Sequence, residues 1–151
     1  MSEPAPRRLR SLDADAIAAL LSSHQSPVRL SSLSPNGYPL ISTLWFLFEE
    51  GCFWCITNQS TLMRRNLAAN PRCAFEITLH DARYKLLRGQ GDAELHLDQG
   101  RRVTEAMISR YLPDPRGAMA EALRARIPTE YAVRIIPRWV RGSGVQRVKK
   151  A

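Results

Sequence analysis

No stretch of this 151-residue chain approaches the roughly 18 consecutive apolar residues that a membrane span needs. The opening Met1 to Arg10 is basic and contains proline, but no apolar run follows it, so it reads as a tail and not as a secretory signal. Cysteine is scarce. Cys52, Cys55 and Cys73 make no even framework, and a reduced, cytoplasmic setting is expected. Cys52 and Cys55 do form a C-x-x-C, but they fall in a strand, where residues three apart face opposite sides. A redox or zinc pair wants a turn or a helix start. The histidines His24, His80 and His96 lie far apart without metal-ligand spacing, so no metal is expected. There is no G-x-S-x-G elbow, no Walker loop, and no G-x-G-x-x-G opening a helix. Arg88-Gly89-Gln90-Gly91 holds its glycines inside a strand, where they relieve crowding. No protein-borne nucleophile or acid–base pair is legible, so any catalysis would be carried by a bound cofactor.

Acidic residues are the minority, 14 against 22 Lys and Arg, for a net charge of +8. Such a surface favours anions. The basic residues are dispersed, and none interleave with aromatics along one strand face as in single-strand binders, so nucleic acid is not the expected partner. A phosphate-bearing ligand is.

What is present centres on Gly37 to Glu76. Tyr38 to Phe48 reads as one strand with Tyr38, Leu40, Ser42, Leu44, Phe46 and Phe48 on one face. Pro39, Ile41, Thr43, Trp45 and Leu47 lie on the other. Both faces are largely apolar, and a small barrel covers only the inner one, so the outer face needs a second subunit or a flat ligand. Glu49-Glu50-Gly51 turns the chain into a returning strand, Cys52 to Thr57. Asn58-Gln59-Ser60 then leads into a helix from about Thr61 to Ala69, stopped by Asn70-Pro71. Small hydroxyl residues between a strand and a helix start, with Arg64 in the first turn, suit a phosphate group.

The remainder supplies a helix capped by Asp13, running to about His24, and a strand Val28 to Leu33. Strands Arg72 to Leu79 and Arg83 to Leu97 follow, the second bent by Gly89 and Gly91. Helices Gln99 to Leu112 and Arg116 to Ile127 precede a last strand, Tyr131 to Ile136. About six mostly antiparallel strands with three or four helices make a β-barrel with peripheral helices, of the α+β class. It forms one domain over residues 13–142, between a flexible basic tail, 1–12, and a basic C-terminal tail, 143–151.

The runs P-L-I-S-T-L-W-F, G-x-F-W-C-I-T-N and S-T-L-M-R-R-N-L-x-x-N-P-R resemble the FMN-binding split-barrel superfamily related to pyridoxamine 5′-phosphate oxidase. R-G-Q-G-D-A-E, R-Y-L-P and I-I-P-R-W agree with it, and the likeness spans roughly Val28 to Gly142. It implies a homodimer of six-stranded split barrels with FMN at the interface, acting as a flavin-dependent oxidoreductase on a small organic substrate. Relatives of this length use either FMN or a deazaflavin coenzyme; the alternative expectation is a binding module, a flavin or haem carrier or a sensor, without turnover of its own. By the same resemblance Ser42, Thr43, Leu44 and Trp45 line the isoalloxazine edge. Thr57, Ser60 and Thr61 approach the phosphate, with Arg64 or Arg65 as counter-charge, and Lys85 and Arg88 are further candidates. Met63 occupies a position where the superfamily commonly has a phosphate-binding Lys or Arg. No counterpart of the oxidases' C-terminal substrate-binding R-x-H is present, so pyridoxamine phosphate oxidation itself is not expected.

Overall fold

The computed structural model describes residues 10–22, 24–79 and 85–143. Strands β1 (Arg10–Ser11), β2 (Val28–Leu33), β3 (Pro39–Leu44), β4 (Leu47–Glu49), β5 (Cys52–Asn58), β6 (Arg72–Leu79), β7 (Lys85–His96) and β8 (Glu130–Ser143) form one antiparallel sheet. Helices α1 (Ala14–Leu21), α2 (Leu62–Ala69), α3 (Gly100–Tyr111) and α4 (Ala118–Ala125) decorate it, and a short 3-10 turn (Ile127–Thr129) precedes β8.

The strand order is β3-β2-β6-β7-β8-β5-β4, with β1 added along β8. β3 and β4 are opposite edges of that order, yet only Trp45 and Phe46 separate them in sequence. The sheet therefore curls until its edges meet. This is the split barrel, joined across its gap by covalent chain instead of a hydrogen-bond ladder. The single strand expected from Tyr38 to Phe48 is thus two, which raises the count along the path to seven against the six expected. The last strand also differs. It continues past Ile136 to Ser143, and Pro137 is accommodated at a bulge where the partners of Gln90 and Gly91 skip from Trp139 to Pro137. Arg10 and Ser11, expected within the tail, pair with Gly142 and Arg141. His80, the start of the strand expected from Arg83, and the C-terminal tail beyond Ser143 lie outside the described residues.

The barrel interior follows from strand alternation. Val28, Leu30, Phe75, Ile77, Leu87, Cys55, Val133 and Ile135 point inward and are buried. Phe53 sits among three other rings, with centroids 4.8 Å from Phe48, 4.9 Å from Phe75 and 5.7 Å from Phe46. Helices α1 and α2 cover openings with Ile17 and Leu21 and with Met63 and Leu67. Asp13 caps α1 by accepting from the Ala16 N–H at 2.9 Å. Asn66 ties α2 to the sheet: its buried amide donates to Ser32 Oγ at 3.2 Å. All three cysteines are free and buried. Burial pushes the Cys73 thiol up to about 12 and raises that of Cys55 further, so neither is a nucleophile at neutral pH.

At Gly89 the sheet closes on itself too tightly for a side chain. A Cβ there would stand 2.4 Å from both the Phe75 ring and the Trp139 carbonyl oxygen. Gly89→Ala is expected to lower stability by about 1–3 kcal/mol, the usual cost of overpacking. Urea unfolding of the two proteins measures it, and an unchanged midpoint would contradict the close approach.

Candidate functional site

The link that closes the barrel also builds one wall of its main cavity. Leaving β3, the chain makes no further sheet pairing until β4, so Trp45 and Phe46 need other partners. α3 supplies them. Its last residue, Tyr111, donates from its hydroxyl to Phe46 O at 2.7 Å and accepts from Phe46 N at 3.3 Å. The Tyr111 ring stacks on Trp45, with centroids 4.9 Å apart and planes 6° from parallel. One phenol thus satisfies both backbone groups of Phe46 and holds the indole.

Between this segment, the outer face of β5 and helices α3 and α4 lies a cavity of about 490 Å³, within the range of small-molecule sites. Thr43, Leu44 and Trp45 line one side. Ile56, Thr57, Asn58 and Thr61 line the strand-to-helix junction, and Thr104, Met107, Leu123, Arg126 and Glu130 complete it. Arg124 clamps α4 against α3. It gives Glu105 two hydrogen bonds, at 2.9 and 3.1 Å, and donates to Glu121 at 2.8 Å. These hydrogen bonds hold the Glu105 carboxyl below its ordinary range and raise the guanidinium further.

The junction has the features of an anion seat. Thr61 caps α2, accepting from Arg64 N at 3.2 Å and donating to Asn58 O at 3.0 Å. Its hydroxyl lies 2.6 Å from that of Thr57. The N–H groups of Leu62 and Met63, next in the first turn, have no partner among the described residues. Arg64 folds back over this end of the helix, its Nε donating to Gln59 O at 3.0 Å. Free N–H groups and a guanidinium at one helix start fit a phosphate, while the two hydroxyls fix the geometry of the turn.

Of the residues singled out in sequence, Thr43, Leu44, Trp45, Thr57 and Thr61 meet in the cavity. Ser60 and Arg64 stand at its helix end without lining it. Ser60 is exposed and bonded to Asn58 Oδ1 at 2.9 Å. Ser42 faces the opposite side of β3 from Thr43, and Arg65 is exposed. Met63 is buried in the barrel core, so position 63 offers a ligand only its backbone N–H. Lys85 and Arg88 are remote from this cavity. Arg88 borders a separate outer-face groove with Ile41, Glu76 and Trp139. The helical wall was not foreseen. Within it, only the R-Y-L-P motif marked Tyr111.

The chain belongs to the pyridoxamine 5′-phosphate oxidase family, whose sequence profile matches residues 14–143. Solved structures agree on the fold. A conserved hypothetical protein from Mycobacterium tuberculosis superposes with a TM-score of 0.75 at 20% identity, over 100% of this chain and 98% of its own. An F420 reductase gives 0.62 at 20% identity, over 82% and 94% of the two chains. A FAD-binding protein from Mesorhizobium loti gives 0.63 at 19%, over 89% and 96%. No curated protein matches the sequence.

Tyr111→Phe removes the donor and acceptor that fix Phe46 while keeping the stacked ring. The expected result is a loss of about 1–2 kcal/mol in stability together with a changed Trp45 fluorescence. Chemical unfolding followed by tryptophan emission tests both, and a silent substitution would show that the link stands without this bond.

Proposed function

We propose that the protein binds FMN in the cavity described above and works as a flavin-dependent oxidoreductase on a small organic substrate. The observation that carries this is the pairing of an anion-ready helix start, at Thr61 to Arg64, with an apolar slot beside Leu44 and Trp45 in a member of this family. When bound, the flavin would supply the hydride chemistry. The protein's own residues would bind and orient it. Arg64 and the Leu62 and Met63 N–H groups would take the phosphate, with Thr57 and Thr61 bordering it. The backbone of Thr43 to Trp45 would border the ring, and Leu123 and Met107 would exclude water. Glu130 brings a negative charge to the same cavity, where Arg126 pairs with it at 2.9 Å.

The outer face of the sheet supports a homodimer with the cofactor at its interface. Tyr38 is 74% exposed and Ile41 68%, with Leu33 also exposed along the same region. Free thiols at Cys52, Cys55 and Cys73 suit a reducing cytoplasm, and among the described residues no helix is long and apolar enough to cross a membrane. A deazaflavin coenzyme is the second reading, favoured by the likeness to an F420 reductase and by a net charge of +8 suited to a longer anionic ligand. A non-catalytic flavin or haem carrier is a third.

Titration with FMN and with riboflavin, which lacks the phosphate, tests the assignment. Arg64→Ala should weaken FMN about tenfold or more, the loss of one charge-assisted hydrogen bond, and leave riboflavin nearly unchanged. Equal losses for both would place the phosphate elsewhere. No uptake of either flavin by the unaltered protein, with uptake of the deazaflavin, would move the chemistry to that carrier. For the dimer, light scattering should give twice the chain mass, and Ile41→Glu should give a monomer.

A further inference from the structure

The cavity holds polar groups that a bound flavin's phosphate seat does not employ. Glu130 opens β8 directly after the 3-10 turn, and its side chain lines the cavity while the residue is only 4% exposed. A carboxylate at that depth requires hydrogen bonds or an ion pair. Its hydrogen bond and its shortest ion-pair contact both fall on Oε1. Oε1 forms an ion pair with Arg126 Nε at 2.9 Å and accepts a hydrogen bond from Asn58 Nδ2 at 3.4 Å. Oε2 has no partner among the described residues, so a full set of lone pairs is unspent.

A second unspent group comes from α3. This helix crosses the start of β8 so closely that a Cβ on Gly100 would stand 2.3 Å from the Glu130 carbonyl oxygen. Thr104 lies four residues on, one turn along the same helix face, and it lines the same cavity. It too is 4% exposed, and its Oγ1 is buried without a hydrogen-bond partner. A helix-interior threonine ordinarily bonds the carbonyl one turn back. This one does not.

Arg126 is the one cation among the lining residues, but its side chain is 57% exposed and already engaged by Glu130. Water and salt screen its charge at the rim, whereas the carboxylate acts from within. Acceptor capacity therefore dominates the inner end, and Trp45, Ile56, Met107 and Leu123 make the adjoining walls apolar.

We propose that the α3 end of this cavity is a substrate subsite for a hydrogen-bond-donating nitrogen group, an amine, amidine or carboxamide, carried on a flat apolar body. Glu130 Oε2 receives the N–H, Thr104 provides the adjacent hydroxyl, and a carboxylate in the same place is repelled. This substrate class rests on the cavity being the ligand site assigned above, but it needs no flavin to be tested. A purely structural Glu130, fastening the 3-10 turn to β5, would not discriminate ligands by charge.

The experiment is titration of the flavin-free full chain with benzamidine, benzamide and benzoate, following the methyl resonances of Met107 and Leu123. Benzamidine and benzamide should shift these signals, with benzoate at least tenfold weaker than benzamide. In Glu130→Gln, which keeps an oxygen for Arg126 and Asn58, the benzamidine-to-benzoate preference should fall at least tenfold. Thr104→Val should weaken benzamide several-fold without altering the charge order. Benzoate binding as tightly as benzamide would show that Arg126 governs the site and would overturn the proposal. An unchanged preference in Glu130→Gln, or no response of Met107 and Leu123 to any nitrogen probe, would overturn it as well. Flavin uptake is scored separately. Failure there with the probe order intact removes the cofactor assignment alone, and the reverse result removes the subsite alone.

Discussion

The two-residue link Trp45–Phe46 is the constraint on which this molecule depends. It ties strands that are opposite edges of one sheet, so the sheet has no freedom to lie flat. Because the link lacks ladder partners of its own, the Tyr111 hydroxyl has to satisfy Phe46 at 2.7 and 3.3 Å. That requirement fixes where α3 ends. With α3 fixed, its Thr104 and Met107 face β5 across a space that the strands alone would leave open. Barrel closure and cavity formation are therefore one event, and side chains at the join serve both.

The cavity is polar at two places for different reasons. At the α2 start, unspent N–H groups and a folded-back guanidinium produce positive potential, a consequence of how any helix begins. At the β8 start, a buried carboxylate and an orphan hydroxyl produce acceptor capacity, a consequence of helix-to-strand packing around Gly100. The second belongs to this chain's own side chains. A ligand set with an anionic end and a donor-bearing apolar end is what such a division favours, and it agrees with the separate roles proposed for cofactor and substrate.

Much was legible before any coordinates. Local signals determined α1 with its Asp13 cap, the start of α2 near Thr61, the strand Arg72 to Leu79, and glycines at 89 and 91 that relieve crowding. The helix starts and the strand depend on neighbours within a few residues, which sequence displays directly, whereas the atoms that crowd Gly89 come from Phe75 and Trp139. The motif order along Val28 to Gly142 carried the family, and with it Thr43, Leu44, Trp45, Thr57 and Thr61 at one cavity. The tertiary structure alone decided what depends on residues far apart. It broke Tyr38–Phe48 at Trp45, because the sheet edges must turn toward each other there. It carried β8 past Pro137, because a bulge opposite Gly91 removes the need for that N–H. It put Met63 into the core and Arg88 on a different face. It also brought Thr104, Arg126 and Glu130 against β5, a meeting set by α3 packing and by the pairing of Asn58 with Glu130 in the β5–β8 ladder, across 46 to 72 positions of chain, for which no local pattern exists.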